Sequence, residues 1–147
     1  MSPFHGEDCD IETCSSATFK GHPPASCRFN CLMYLHEEGC LWDKWTCYAV
    51  AMNGHIDCLA YAHENGCPRN KRTCYMAALN GHLSCLVYLH ENGCAWDKSV
   101  CEVAALNGRV DILTYVHEEG CLWDEETCAE AAEIIWIALI ICDLRPV

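Results

Sequence analysis

Along most of the chain, apolar side chains recur in helical steps, broken at regular intervals by asparagine or aspartate and by glycine. Cys58, Leu59 and Ala62 in one stretch correspond to Cys85, Leu86 and Leu89 in the next, an i, i+1, i+4 stripe that predicts a short amphipathic helix. A partner helix precedes each of these. It begins after Asp43, Asn70, Asp97 or Asp124, whose side chains can accept a backbone N–H bond at a helix start. It ends at Asn53-Gly54, Asn80-Gly81 or Asn107-Gly108, where glycine supplies a left-handed C-terminal cap. The second helix follows His55 and its equivalents. It carries Asp57 or Asp111 in its first turn, where a negative charge suits the helix dipole, and ends at Gly66 or Gly93. No stretch alternates with period two for long enough to form a strand.

These elements are copies of one unit, seen most clearly from Thr73 to Lys98. A shift of 27 residues superimposes Cys40, Cys67, Cys94 and Cys121; Cys47, Cys74, Cys101 and Cys128; Gly39, Gly66, Gly93 and Gly120; and Tyr34, Tyr61, Tyr88 and Tyr115. A period of this size held over so many columns predicts a stacked-repeat solenoid, all-α, in which each helix pair buries its apolar face against its neighbours. The domain reading is a degraded first copy over 1–30, regular units over 31–133, and an apolar C-terminal segment over 134–147. In the first part, Gly6, Asp10, Thr13, Cys14, Gly21 and His22 keep the register before Pro23-Pro24 opens a loop. In the last, Ile134-Ile135 replaces Asn-Gly, and the run to Cys142 is shorter than the about 20 residues a bilayer span needs. Three readings remain for it: a closing helix, a surface for self-association through Ile134–Cys142, or the remnant of a longer array.

Composition narrows the class. The net charge of −12 argues against nucleic acid or an anionic membrane as a partner, since both need a basic footprint. Fifteen cysteines would suggest a disulfide framework in a secreted protein. Three features point the other way. Met1 to Asp8 has neither a basic start nor an apolar run, the count is odd, and the cysteines recur with the repeat. Packed helices lie about 8–10 Å apart, whereas a disulfide needs Cα atoms within about 7 Å. The columns are therefore not bridged rung to rung, and the cysteines read as small buried apolar residues in a reducing compartment, cytoplasmic or nuclear.

The run Thr73-Cys74, Ala77-Ala78, Asn80-Gly81-His82, Cys85-Leu86, Tyr88-Leu89 and Gly93-Cys94 resembles the ankyrin repeat. The resemblance covers roughly residues 10–133. Cysteine stands where that family usually has proline after threonine, and the segment from Gly93 to the next helix is about six residues shorter than in the usual repeat. The β-hairpin finger is accordingly expected to be shortened or absent. This short Cys/Trp-rich form looks like the ankyrin arrays of large DNA viruses, where host–virus interaction is a setting, and of some protists. The resemblance implies a curved solenoid that binds other proteins, sometimes as the substrate-recruiting part of a ubiquitin-ligase adaptor. An F-box would accompany that last role, and residues 1–30 leave no room for one.

Histidine and cysteine recur as His36/Cys40, His63/Cys67, His90/Cys94 and His117/Cys121. An i, i+4 pair can share a metal, which keeps a structural metal-binding repeat protein as the alternative reading. The bland reading is a surface histidine followed by a buried cysteine past the helix end. A catalytic site is one constellation in one place. Here one set per repeat indicates packing columns, so neither an enzyme nor a cofactor is predicted. Trp42, Trp96 and Trp123 form a column in which Arg69 takes the remaining place, read as wedged between repeats. Glu37, Glu64, Glu91 and Glu118 read as a solvated stripe.

Columns that vary between copies are free to specialise. In the first helix they are Lys44/Lys71/Lys98, Trp45/Arg72/Ser99, Tyr48/Tyr75/Glu102 and Met52/Leu79/Leu106, which share one helical face. The expected protein-binding residues are therefore Lys44, Trp45, Tyr48, Met52, Lys71, Arg72, Tyr75, Leu79, Lys98 and Glu102. They would line a groove that is basic and aromatic at its N-terminal end and acidic towards Glu102, Glu125 and Glu126.

Overall fold

The computed structural model describes residues 29–39, 42 and 44–121. It shows α1 (Phe29–Glu37), α2 (Lys44–Met52), α3 (Ile56–Glu64), α4 (Lys71–Leu79), α5 (Leu83–Glu91), α6 (Lys98–Leu106) and α7 (Val110–Glu118). Among the described residues there is no strand, and no helix is long and apolar enough to cross a membrane. The degraded first copy, the apolar segment Ile134–Cys142, Trp123, Glu125 and Glu126 lie outside the described residues.

Each described helix is nine residues long. That is below the about 12–15 residues at which an isolated helix becomes marginally stable in water, so these helices depend on packing. The first helices, α2, α4 and α6, stack one on the next, and so do the second helices α1, α3 and α5, while Tyr115 of α7 meets His90 of α5. Each first helix also packs on the second helix that follows it, giving two layers with one continuous core between them. That core contains Cys47, Val50 and Ala51 of α2, their equivalents Cys74, Ala77 and Ala78 of α4, and Cys101, Ala104 and Ala105 of α6. The facing stripe is Cys58, Leu59 and Ala62, then Cys85, Leu86 and Leu89, then Ile112, Leu113 and Val116. Small residues on the first helices let the layers approach closely. Leucine, isoleucine and valine on the second helices supply most of the buried area, each side chain contributing about 1.5–3 kcal/mol.

The helix boundaries follow the punctuation. Asn70 precedes α4 and accepts from Arg72 N at 3.0 Å, while its own N–H donates to Thr73 Oγ1 at 3.4 Å. Together these form a capping box, with threonine in the role more often filled by a longer side chain. Asp97 caps α6 through Ser99 N at 3.1 Å. At the other ends, glycine enters the left-handed region, as at Gly54 and Gly66 with φ of 74° and 81°. Gly66 N bonds His63 O at 3.0 Å and Cys67 N bonds Ala62 O at 2.9 Å. This double closure is a Schellman motif, and α2 through α7 all end in it. The preceding asparagine reinforces it, as where Asn65 Nδ2 donates to Tyr61 O at 2.8 Å. Between α3 and α4, and between α5 and α6, this turn and the next cap take up the whole connection, which leaves no length for a hairpin finger.

Candidate interaction surface

On the first helices, the recurring cysteine and alanine columns turn inward. Cys47, Cys74 and Cys101 are fully buried, as are Ala51, Ala78 and Ala105. The variable positions face the other way: Lys71, Arg72 and Leu106 are exposed, while Tyr48, Met52, Tyr75, Leu79, Ser99 and Glu102 are half-buried. Lys44 and Trp45 stand in the first turn of α2, and their side chains lie outside the described residues.

Neighbouring copies are tied together across this face. Lys71 Nζ meets Asp97 Oδ2 at 2.8 Å, joining the start of α4 to the cap of α6. The Lys71 hydrogen bond and that of Ser99 pull the Asp97 carboxyl down to about 2, and Asp97 raises the Lys71 ammonium in return. The Arg72 guanidinium lies 5.8 Å from the centre of the Tyr48 ring, a cation–π contact from α4 to α2. Lys98 pairs with Glu102 at 3.2 Å along α6. The groove predicted to be basic is therefore largely paired at Lys71 and Lys98. Among the described candidates, Arg72 presents its charge beside an aromatic ring, while Met52, Leu79 and Leu106 form an apolar row that ends at the 49% exposed Leu106.

The opposite side of the stack holds the aromatic and histidine columns, where the expectation of surface histidines needs correcting. His36 stacks on Trp42 with ring centres 4.2 Å apart, and His90 stacks on Trp96 at 3.9 Å and 6°. The tyrosine of the following copy stands edge-on to each pair: Tyr61 lies 5.8 Å from Trp42, and Tyr115 lies 6.0 Å from Trp96. His36 Nδ1 lies 3.2 Å from Tyr61 Oη, and His63 Nδ1 lies 2.8 Å from Tyr88 Oη. The histidines are half-buried members of the seam between repeats, drawn in by the flat faces of tryptophan and the tyrosine hydroxyl. Trp42 and Trp96 are wedged between repeats, as the sequence suggested, and Trp123 lies outside the described residues.

The cysteines of the His-x-x-x-Cys pairs turn elsewhere. Cys94 Sγ donates to Asn70 O at 3.4 Å, and Cys121 Sγ donates to Asp97 O at 3.8 Å. Histidine and cysteine in one pair thus serve different partners, and among the described residues no three potential ligands gather around one point. The exposed Glu37, Glu64, Glu91 and Glu118 form the solvated stripe expected of them.

Two devices escaped the sequence reading. The His82 ring covers Gly54, where an added Cβ would lie 2.4 Å from Nδ1, and its Nε2 meets Met52 O at 3.0 Å. Arg109, in the histidine's place one copy later, covers Gly81 in the same way, but its Nε is buried with no acceptor. The second device joins the cysteine columns within a repeat, where Cys47 Sγ donates to Cys67 O at 3.9 Å. Its signal was the constant offset between the two columns, which comparison within single columns does not reveal.

Paired helices stacked in two layers around a shared core define a helical-repeat solenoid. Residues 47–90 match the family described as ankyrin repeats (many copies), a span running from α2 to α5. Those residues are similar to ankyrin repeats, and α6 and α7 continue the same 27-residue register. No curated protein matches the chain. Ankyrin repeats in general mediate protein–protein interaction and are typically not enzymes.

Proposed function

We propose that the chain is a protein-interaction scaffold whose partner docks on the face formed by α2, α4 and α6. The observation that carries this reading is a contrast on those helices: the constant cysteine and alanine columns are buried, while the columns Tyr48/Tyr75/Glu102 and Met52/Leu79/Leu106, which change between copies, are half-buried or exposed. A face under packing constraint alone would have no reason to collect tyrosine, arginine, methionine and leucine. Such side chains anchor interfaces when they are held in place beforehand, as Arg72 is over Tyr48. The partner surface that complements this face is apolar along the Met52–Leu79–Leu106 row and carries an acidic group near Arg72. Among the described residues, eight buried free thiols support a reducing setting, cytoplasm or nucleus.

The test is affinity capture from native host cells with the wild-type chain, with a Lys71→Glu/Arg72→Glu variant, and with Asp97→Asn. Asp97→Asn breaks the ion pair to Lys71 while leaving the proposed docking residues in place. Capture is expected to fall about tenfold or more in the double variant, the loss typical of an interface anchor, and to persist in Asp97→Asn. Equal capture by all three, with helicity retained, would remove the docking face from consideration.

A further inference from the structure

Five of the glycines that close helices follow asparagine: Gly54, Gly66, Gly81, Gly93 and Gly108. Asparagine before glycine is open to ring closure, because glycine carries no Cβ to shield its amide nitrogen or to restrict its backbone. That nitrogen can attack the asparagine side-chain carbonyl carbon and expel ammonia. In the folded chain both reacting groups are engaged at each pair. Asn65 Nδ2 donates to Tyr61 O at 2.8 Å, and Gly66 N donates to His63 O at 3.0 Å. Asn53 Nδ2 donates to Ala49 O at 2.7 Å, and Gly54 N donates to Ala51 O at 3.3 Å. Asn80, Asn92 and Asn107 are held in the same way. Reaction therefore waits on local opening of the turn, and the ease of opening decides which pair reacts first. The surroundings separate the pairs. Gly54 and Gly81 lie under the His82 ring and the Arg109 guanidinium of the next copy, so opening either turn displaces a neighbour's side chain. Asn65 and Asn92 are exposed, and a Cβ placed on Gly66 or Gly93 would meet nothing within 4 Å. Asn92 is tied at one further point, since Arg69 donates to its carbonyl oxygen. One copy earlier Trp42 holds the place of Arg69 and stacks on His36. The turn itself does not require asparagine. Glu119 stands in the place of Asn65 and closes the same turn, with Glu119 N on Tyr115 O and Gly120 N on His117 O, both at 3.0 Å.

We propose that Asn65-Gly66 is a site of spontaneous modification, at which the turn closing α3 converts to isoaspartate ahead of the other asparagine–glycine turns and loosens the connection from α3 to α4. In the first step hydroxide from solvent takes the Gly66 amide proton, and the nitrogen attacks Asn65 Cγ. The N–Cγ bond forms, the Cγ–Nδ2 bond breaks, and Nδ2 takes a proton from water and leaves as ammonia. The product is a five-membered succinimide. In the second step water adds to the backbone carbonyl carbon of the ring. The bond from that carbon to the Gly66 nitrogen breaks, the nitrogen regains a proton, and the chain now runs through Cγ. An amide and one water become a carboxylic acid and ammonia, with no change of oxidation state. The extra backbone carbon puts Gly66 N and Cys67 N out of register with His63 O and Ala62 O, the two acceptors of the closing turn. The new carboxylate also stands at the negative end of the α3 dipole.

The test incubates the full chain in mildly alkaline buffer, folded and in urea, and follows each asparagine by peptide mass spectrometry with fragmentation that separates aspartate from isoaspartate. Circular dichroism monitors helicity. In urea, Asn53, Asn65, Asn80 and Asn92 are expected to react at similar rates. In the folded chain Asn65 should react about tenfold faster than Asn53 and Asn80, with Asn92 between them. Arg69→Trp, which installs the residue found at Trp42 and Trp96, should raise Asn92 to the rate of Asn65. His82→Ala should speed Asn53 and leave Asn65 unchanged. Asn65→Glu, which copies Glu119, should begin with the wild-type urea midpoint and keep it on incubation, while the wild-type midpoint declines. Equal rates at Asn65 and Asn53 in the folded wild type would overturn the proposal. So would a decline in Asn65→Glu as fast as in the wild type, or modification of Asn65 that begins only after helicity is lost.

Discussion

At the scale of single residues, Asp97 combines two roles that its equivalent Asn70 separates. Both cap a first helix, but Asp97 also bonds Lys71 of the preceding copy. Asp97→Asn keeps a capping side chain and removes the ion pair, which joins groups well exposed to solvent and contributes little, below about 1 kcal/mol. Asp97→Ala removes both and should cost about 1 kcal/mol or more in urea unfolding. The pH dependence has a definite sign. The carboxyl sits at about 2 in the folded chain against an ordinary 3.8. Its contribution is therefore complete above pH of about 4 and disappears as pH falls towards 2. Wild-type stability should fall more steeply than that of Asp97→Asn across that window, measured by urea midpoints at successive pH values.

At the scale of elements, the Schellman turns allow a matched comparison. Gly54 and Gly66 share a left-handed backbone, so alanine at either position incurs the same conformational strain, about 1–2 kcal/mol. At Gly66 an added Cβ meets nothing within 4 Å, whereas at Gly54 it runs into the His82 ring of the next copy. Gly54→Ala should therefore destabilise the chain clearly more than Gly66→Ala in urea unfolding, and the difference measures the histidine clamp. Helix positions were legible in the sequence because Asp or Asn opens each first helix and glycine closes every one, and both are local effects. The seam between repeats was less legible. The histidine, tryptophan and tyrosine columns were visible as columns, but which ring meets which depends on how far one copy is rotated against the next. The half-buried His36, His63 and His90 were accordingly read as surface residues. The exposure of Arg72 and Leu106 was legible for the converse reason, since both stand in columns that change between copies. The pairing of Lys71 with Asp97 was not, because its partner lies in another copy.

At the scale of the whole molecule, stability is shared among equivalent interfaces, and no single domain centre exists. Leu86, on α5, lies in the middle of the described stack and is fully buried in its core. Leu86→Ala should lower stability by about 2–5 kcal/mol. Because each copy contacts only its neighbours, that change should also broaden the urea transition, as the two sides unfold less in concert. A sharp transition merely displaced to lower urea would indicate that coupling along the stack is stronger than nearest-neighbour contacts provide.

The constant 27-residue register from Lys44 through Lys71 to Lys98 has a consequence for inheritance as well as for folding. A segment duplicated or deleted in whole units keeps every clamp, cap and aromatic stack in phase, because each side chain finds its counterpart one unit along. Unequal recombination within the gene can thus lengthen or shorten the stack without an intermediate that fails to fold. The surface that faces a partner grows or shrinks by one ready-made step, while the replaced column at Arg69 travels as a marked tile whose place in the row can shift.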